Sequence, residues 1–443
     1  MFPVTGTSVA HEQRWRNWGG TAECTPARVL RPSSVAEVTG IVRETAERGG
    51  TVKTVGAGHS FSPIAVADDV QLELSGLRGL VGVDGHRVTL RAGTHLHEIP
   101  GLLAPFGLGM ANLGDVDRQT IAGATSTGTH GTGLAFGGIS TQIVGATIVT
   151  GTGDVVTLGP DDADLAAVAL GLGALGVVVE LTIECVEEFR LHAVEGPASA
   201  DDAIASFLDR VASSDHHEFY LFPHTNCALV KTNTRVGADT PVSGPSRIRR
   251  YIDDELLSNK TLRLLCEVGS RAPRLVPAIN GVVGRALSPR ELTDASTKVF
   301  VSERDVRFRE MEYAIDLDAV PDALREIRAL LDRRKYLVSF PIEVRAAAAD
   351  DLMLSTAAGR TSGYIAVHRY HRDDPADTAA YFADVEAILT GLGGRPHWGK
   401  MHTRDAEYLR SVYPRFDEFL AVRDRYDPSR VFANDHLRRV LGE

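Results

Sequence analysis

The sequence has few cysteines and no long hydrophobic run, and each scarcity excludes a class of protein. Its four cysteines, Cys24, Cys185, Cys227 and Cys266, form no CxxC pair. Their spacing argues against a disulfide framework and a structural zinc site, and it indicates a reducing compartment. The most apolar uncharged stretch, residues 165–179, is shorter than the roughly 20 residues that a spanning helix needs. We therefore expect no integral membrane segment.

An excess of basic residues is also lacking. The chain has 47 Lys and Arg against 58 Asp and Glu, a formal net charge of -11, which argues against non-specific binding to nucleic acid. Residues 1–18 contain Glu12, Arg14 and Arg16 but no apolar segment, so they do not predict a secretory signal. We expect a cytoplasmic protein, either free or attached peripherally to a membrane.

Glycine, in contrast, is abundant. The chain has 443 residues, 43% of them apolar and 24% charged, which predicts a globular protein of two or three domains. There are 43 glycines, whereas aromatic residues make up only 6%. This composition predicts many tight turns and hints at a ligand cradled by backbone groups.

The first region predicts an α+β fold. A strand at residues 28–31 precedes a helix that begins with a capping box of Ser34 and Glu37. A strand at residues 51–55 then runs into the turn 56–60, and Asp84-Gly85 predicts a hairpin. Helices and strands are mixed up to about residue 185 without regular alternation.

A second domain begins near residue 187. Its helices and its strands of period two predict an antiparallel sheet covered on one face by helices. The predicted strands are 219–222, 229–232, 309–315, 338–345 and 364–370. Residues 239–289 carry no readable pattern.

Two glycine-rich segments need separate interpretations. Residues 171–176, GLGALG, match the dinucleotide-binding pattern, but a helical run precedes them and a strand follows. This reversed order argues against a Rossmann site and predicts a helix-to-strand turn that a nucleotide could still touch. Residues 123–133 begin with P-loop spacing, yet Thr129 replaces the required lysine. This segment is either a flexible loop or, together with the turn 56–60, a cradle for a pyrophosphate.

Polar side chains on two predicted strands form a candidate polar cluster. Glu343 and Arg345 share one strand face because residues two apart project to the same side. The alternative is a solvated face with a weak ion pair. Tyr364, Ala366, His368 and Tyr370 share a face that could lie beside Glu343 and Arg345.

Histidine pairs give no metal site. His368 with His371, and His397 with His402, lack a third ligand and helical spacing, so no metal is expected. The compact segment 395–400 combines an aromatic ring with a cation, which favours contact with a ligand.

The motifs together resemble the aldonolactone oxidoreductase family of vanillyl-alcohol oxidase type flavoproteins. This family includes L-gulono-1,4-lactone and D-arabinono-1,4-lactone oxidases or dehydrogenases and the related alditol oxidases. The resemblance extends from about residue 18 to residue 442. It rests on VGAGHSF at 55–61, NLG at 112–114, the glycines of 123–133, EVR at 343–345, HWGK at 397–400 and FAN at 432–434.

The resemblance implies a bound FAD and a three-part organisation. Residues 1–186 would form an FAD-binding domain with two α/β subdomains, 187–395 a cap domain over the flavin, and 396–443 a segment returning to the flavin. Implied FAD contacts are Gly56, Ala57, Gly58, His59, Ser60, Gly114, Asp115, Gly123, Thr125, Thr127, Gly128, His130, Gly131, Gly173, Gly176, Val177, Lys400 and Asn434. His59 matches the residue that bonds covalently to the flavin in the histidyl-flavin members.

The resemblance also implies catalytic roles. Glu343 would hydrogen-bond the reacting hydroxyl, Arg345 and Lys400 would supply positive charge, and His368 would line the substrate pocket. Which group takes the hydroxyl proton stays open, because arginine is a poor base and Glu343 would need a raised pKa.

Two positions bear on substrate and acceptor. Asp115 replaces a serine that contacts substrate in the polyol-oxidising relatives, which favours a lactone over an open-chain alditol. Gly114 lies where the family gates oxygen, so the acceptor is either oxygen or another redox carrier. The alternatives are an alditol or carbohydrate oxidase that releases hydrogen peroxide, and a sugar-binding protein without turnover.

Overall fold

The computed structural model describes residues 14–244, 260–302 and 306–443. Helices and strands are mixed in the first part of the chain, as predicted. The helices are α1 (Val35–Glu47), α2 (Ile99–Leu103), α3 (Ile121–Ser126), α4 (Leu165–Val168), α5 (Ala200–Ala205), α6 (Phe207–Ala212), α7 (Lys260–Arg271), α8 (Val276–Ala286), α9 (Ser296–Phe300), α10 (Val320–Arg334), α11 (Pro375–Gly391), α12 (Ala406–Val412), α13 (Phe416–Tyr426) and α14 (Asp435–Leu441).

Within the described residues, the strands form three larger sheets and two short pairs. They are β1 (Trp15–Arg16), β2 (Glu23–Cys24), β3 (Arg28–Leu30), β4 (Val52–Val55), β5 (Val70–Glu73), β6 (Leu80–Asp84), β7 (Arg87–Arg91), β8 (Leu108–Gly109), β9 (Ile143–Val149), β10 (Val155–Leu158), β11 (Val177–Glu184), β12 (Val186–Glu187), β13 (Phe189–Ala198), β14 (His216–Phe222), β15 (Cys227–Gly237), β16 (Arg290–Ala295), β17 (Phe308–Asp316), β18 (Ile342–Ala347), β19 (Ser362–Tyr370) and β20 (Arg395–Pro396).

The N-terminal part combines a parallel and an antiparallel sheet, which confirms the predicted α+β class. Strands β3, β5 and β4 pair in parallel, and β10, β9, β11, β7 and β6 form the antiparallel sheet. Ser34 caps α1 through the Glu37 amide at 3.2 Å. The Glu37 carboxylate accepts a hydrogen bond from the Ser33 amide at 2.7 Å. In the predicted capping box the donor would be the amide of the N-cap residue, Ser34, so the structure differs from the prediction by one residue.

The second part of the chain contains an eight-stranded antiparallel sheet in the order β16-β13-β15-β14-β18-β19-β17-β20. Helices α5, α6, α10 and α11 cover one face, where Phe207, Leu324 and Tyr381 share a core with Phe219 and Val344. The predicted antiparallel sheet with helices on one face is confirmed.

One predicted strand starts later than expected. Residues 338–341 precede β18 rather than belonging to it, because side chains satisfy their backbone groups. The Asn280 amide donates to the Val338 carbonyl at 3.0 Å, and the Val338 amide donates to His224 Nε2 at 3.1 Å. Pro341 has no N–H to contribute to a ladder.

The C-terminal helices pack against the N-terminal part. Phe416 and Leu437 share a core with Leu113 and Leu181. Strand β20 ends the eight-stranded sheet, where Pro396 pairs with Tyr313 across the predicted boundary at 395. The three-part division stays a prediction.

Acid should weaken this fold. Burial lowers the pKa of His216, His217 and His397 to about 4 and that of His436 to about 3. An unfolded histidine titrates near 6.5, so below that pH the unfolded chain binds more protons than the folded chain. The free energy of unfolding should then fall by up to about 1.4 kcal/mol per pH unit for each ring. We expect a lower urea midpoint at acidic than at neutral pH, with a shallower dependence in His217→Gln; a pH-independent midpoint would contradict this.

Candidate active site

Two cavities adjoin at the turn that follows β4. The first has a volume of about 360 Å³ and is lined by residues from Trp15 to Val178. The second has a volume of about 420 Å³ and is lined by residues of both the N-terminal part and the eight-stranded sheet. His59, Ser60, Gln119 and Thr127 line both. The two cavities therefore form one elongated site.

Glycines that cannot be replaced without strain line the first cavity. A Cβ at Gly56 would lie 2.5 Å from Thr120 Oγ1, and one at Gly176 would lie 2.6 Å from the Val149 carbonyl oxygen. Gly58 and Gly173 have φ of 70° and 61°, which favours glycine. These four glycines bring backbone groups to part of the wall, a surface suited to phosphate oxygens. The predicted helix-to-strand turn at 171–176 lies between α4 and β11 and contributes Gly173 and Gly176.

The other predicted contacts divide into two groups. Those that line one or both cavities are Gly56, Ala57, Gly58, His59, Ser60, Gly114, Asp115, Gly123, Thr127, His130, Gly173, Gly176 and Lys400. Those that line neither described cavity are Thr125, Gly128, Gly131, Val177 and Asn434.

Helix formation explains the position of Thr125. The flexible-loop interpretation of 123–133 is wrong for its first residues, because α3 covers 121–126 with Thr120 as its N-cap. Thr125 Oγ1 consequently donates to the Ile121 carbonyl at 3.0 Å. Asn434 likewise caps α14, and its amide donates to the Ile64 and Val66 carbonyls at 3.1 and 2.9 Å.

Three neighbouring strands bring the polar side chains of the second cavity together. In the register of β18, β19 and β17, Glu343 lies opposite Ala366, and Ala366 lies opposite Glu312. Arg345 lies opposite Tyr364. The small Ala366 side chain separates the two glutamates and leaves room on the face between them.

Arg345 is buried among three carboxylates. Its guanidinium contacts Glu343, Glu218 at 2.9 Å and Asp115 at 3.4 Å. Burial alone would lower the pKa of Arg345. The negative charges of the three carboxylates have the larger combined effect, and they raise this pKa well above its ordinary value. Glu343 and Arg345 are only 6% and 7% exposed, so the alternative of a solvated ion pair is wrong.

Lys400 forms a second charged pair on the same wall. Its ammonium group contacts Glu310. Burial alone would lower the pKa of Lys400, but the negative charges of Glu310 and Glu312 have the larger effect and raise it. His368 lies 3.5 Å from Glu310 and packs against Phe308 and Phe340. It is absent from the lining of the second cavity, so the expectation that His368 lines the pocket is corrected: these rings and Glu310 surround it.

Glu312 completes the wall. His130 Nε2 lies 3.2 Å from its carboxylate, and despite burial the charges of His130, His397 and Lys400 lower the pKa of Glu312 to about 2. Ligand atoms of His130, Glu312 and His397 lie within 4.8 Å of one another. Lys400, which contacts Glu310 on the same wall, places a positive charge beside this group that opposes a bound cation, and we assign no metal.

His59 lies at the junction of the two cavities. Its ring stacks with that of Trp18 at a centroid distance of 5.7 Å. Burial and then the charge of Lys400 lower the pKa of His59 to about 4. The ring is therefore neutral at physiological pH and has a free lone pair for reaction.

Sequence reasoning missed Glu218, Glu310 and Glu312. Glu310 and Glu312 alternate within a predicted strand as Glu343 and Arg345 do, so the same period-two argument could have found them. Glu218 precedes the predicted strand 219–222, whereas β14 begins at His216.

No helix within the described ranges is long and apolar enough to cross a membrane.

Comparison with known proteins supplies the class and then the family. Residues 26–159 match the model described as an FAD binding domain, and residues 181–440 match D-arabinono-1,4-lactone oxidase. L-gulono-1,4-lactone dehydrogenase of Mycobacterium tuberculosis is 42% identical and covers 97% of this chain and 99% of its own. L-gulonolactone oxidase of Mus musculus is 30% identical, with 97% and 98% covered.

The solved structures show the same fold. Cholesterol oxidase from Brevibacterium sterolicum superposes with a TM-score of 0.83 at 18% identity, covering 100% of this chain and 99% of its own. The FAD binding domain defines a flavoprotein. The chain belongs to the D-arabinono-1,4-lactone oxidase family, which confirms the resemblance found in the sequence.

The described residues fit FAD. The first cavity offers a glycine cradle that a Cβ at Gly56 or Gly176 would disturb, and it continues into a second cavity. An elongated dinucleotide with a central pyrophosphate matches this shape. The protein is an FAD-dependent oxidoreductase of the aldonolactone-oxidising class.

Proposed function

We propose that the protein oxidises L-gulono-1,4-lactone, D-arabinono-1,4-lactone or a similar aldonolactone at a C–OH carbon, giving an ascorbate-type product. When bound, FAD supplies the acceptor for the hydride that leaves this carbon. The family supports the reaction. The catalytic roles of Glu343, Arg345 and Lys400 rest on one observation. These three residues line the same cavity as His59 and Gly114.

The residues of the second cavity would bind and polarise the lactone. Glu343, fixed by Arg345 and by the Tyr220 hydroxyl at 3.3 Å, would accept a hydrogen bond from the reacting hydroxyl. Arg345 and Lys400 would stabilise negative charge that develops in a dry pocket. Positioning the substrate against these fixed charges supplies the proximity contribution to the rate.

The roles of the remaining predicted residues follow their positions. Gly56, Ala57, Gly58, Ser60, Gly123, Thr127, Gly173 and Gly176 would bind the dinucleotide, and His59 would form the covalent bond to it. His368 would act on the site only through Glu310. Thr125, Gly128, Gly131, Val177 and Asn434 would shape the backbone around the first cavity.

Anaerobic bleaching of the flavin absorbance tests the substrate class. We expect L-gulono-1,4-lactone to bleach the purified protein and xylitol and sorbitol to leave it oxidised. Bleaching by the alditols and not by lactones would establish the alditol oxidase alternative instead. A flavin that no lactone reduces would contradict the proposal.

The use of oxygen as electron acceptor would depend on whether oxygen can reach the flavin past Gly114. A Cβ there would lie 3.0 Å from the His130 carbonyl oxygen and 3.3 Å from Thr129 Cγ2, so Gly114→Ala narrows the cavity with a small backbone adjustment. If oxygen reaches the flavin past Gly114, the ratio of peroxide formation to dye reduction should fall about tenfold in Gly114→Ala. An equal fall of both activities would show that the substitution acts on the fold rather than on oxygen access.

The state of the cysteines supports the proposed location. Cys24, Cys185, Cys227 and Cys266 all lie in the described part of the chain and are free. Free thiols support a reducing, cytoplasmic location.

A further inference from the structure

Two helices that precede β16 expose apolar side chains to solvent. Helix α7, the turn Pro273–Leu275 and helix α8 form what we call the α7–α8 hairpin, residues 260–286. Its exposed apolar residues, with the exposed fraction of each, are Leu264 (63%), Val268 (37%), Leu275 (49%) and Val282 (59%). Each helix already buries another stripe, since Cys266 of α7 and Val276 of α8 face the protein. Leu264 and Val268, four residues apart, share one exposed face of α7, and the turn and α8 add Leu275 and Val282 to the exposed apolar residues of the hairpin.

The hairpin is basic in an acidic protein. Residues 260–286 contain five basic residues and one acidic residue, a net charge of +4 against -11 for the whole chain. Arg263, Arg271, Arg274 and Arg285 are exposed among the apolar residues. Glu267, the single acid, is shared by Arg271 and Arg372, each at 2.7 Å. An apolar surface interleaved with arginine is typical of helices that lie on an anionic membrane.

A basic cavity opens beside α7. It has a volume of about 350 Å³ and is lined by Arg263, Val306, Arg307, Tyr370, His371 and Arg372. Three guanidinium groups around one cavity favour a phosphate group, because arginine binds phosphate through paired N–H donors.

We propose that the α7–α8 hairpin docks on the anionic phospholipid surface of a membrane, with its leucine and valine side chains in the acyl boundary and a lipid phosphate in the Arg263 cavity. Charge complementarity selects this occupant: the hairpin is positive, and the rest of the chain, which is negative, would be repelled from the same surface. Salt screens the electrostatic attraction between the arginines and the lipid. Burial of the apolar side chains in the membrane contributes binding free energy that does not depend on this attraction.

Docking would place the active site near the membrane. Cys266 of α7 belongs to an apolar cluster with Tyr370, Phe308 and Phe61. Phe61 and Phe308 line the second cavity. The docked face and the catalytic cavity therefore share one layer of packed side chains.

Vesicle sedimentation of the FAD-loaded full chain tests the proposal. We expect the protein to sediment with vesicles of phosphatidylcholine and phosphatidylglycerol and to stay in the supernatant with phosphatidylcholine alone. The double variant Leu264→Ser/Val282→Ser should reduce the affinity for the mixed vesicles about tenfold or more. Arg263→Gln/Arg274→Gln should reduce both the affinity and its dependence on salt.

Matched variants separate docking from other effects. Leu392→Ser/Val155→Ser changes the same residue types at sites that are 40% and 51% exposed outside the hairpin, and it should bind vesicles as the wild type does. Equal loss in this control, or binding that ignores phosphatidylglycerol, would overturn the proposal. Light scattering without vesicles identifies the competing occupant: a dimer that the Leu264→Ser/Val282→Ser variant abolishes would assign the surface to a second copy of the chain and overturn membrane docking.

Discussion

Replacing Arg345 by lysine is expected to slow anaerobic reduction of the flavin by L-gulono-1,4-lactone about 100- to 1,000-fold, while the FAD content stays that of the wild type. The guanidinium contacts Glu218 through Nε and contacts Asp115 and Glu343 through Nη2. An ammonium keeps the charge but cannot make this divided set of contacts. Glu343 would then lose its fixed position against the substrate hydroxyl.

A half-buried arginine outside the cavity, Arg360, serves as the control. Arg360 donates to the carbonyls of Gly393 and Ala314 at 3.1 and 2.9 Å, and it does not line the second cavity. Arg360→Lys should lower stability and leave the reduction rate within a few-fold of wild type. Rapid-mixing spectroscopy measures both variants. A near-normal rate in Arg345→Lys, or the same loss in Arg360→Lys, would contradict the role assigned to Arg345.

Period-two patterns predicted the catalytic face because one side of the sheet is covered by helices. Val344 packs in the helix-covered core, so Glu343 and Arg345 must project to the other side. The same logic applies to Glu310 and Glu312 of β17. What the pattern could not provide is the strand order, which sets Glu343, Ala366 and Glu312 in one row. Sheet order depends on long-range pairing, which local periodicity does not encode.

Local chemistry predicted turns better than it predicted contacts with a ligand. The glycines at 171–176 were correctly interpreted as a helix-to-strand turn because the flanking elements could be identified. Thr125 was assigned to the pyrophosphate cradle, yet its hydroxyl donates within α3. A threonine in a short helix has a backbone carbonyl one turn earlier as a ready acceptor, and the glycine-rich composition obscured this helix.

The acid pellet of the purified protein should be yellow, and His59→Ala should move the flavin entirely to the supernatant. This result is expected if His59 is the covalent anchor that the family resemblance implies. Burial and the Lys400 charge lower the pKa of His59 to about 4, so its ring nitrogen carries a lone pair at physiological pH. The position of His59 at the junction of both cavities puts this nitrogen within the lining of the site.

His95 is the control for this substitution, because it is the other histidine that lines the first cavity. His95→Ala should keep the flavin in the pellet, whereas release by His95→Ala and retention by His59→Ala would reassign the anchor.

A covalent bond to a ring nitrogen also makes a flavin more oxidising, so His59→Ala with FAD supplied should still be reduced by lactone, only more slowly. Complete loss of FAD binding in His59→Ala would instead show that His59 stabilises the FAD-binding cavity. Gly56→Ala serves as the comparison, because its Cβ would lie 2.5 Å from Thr120 Oγ1 and would distort this cavity without removing the proposed covalent bond.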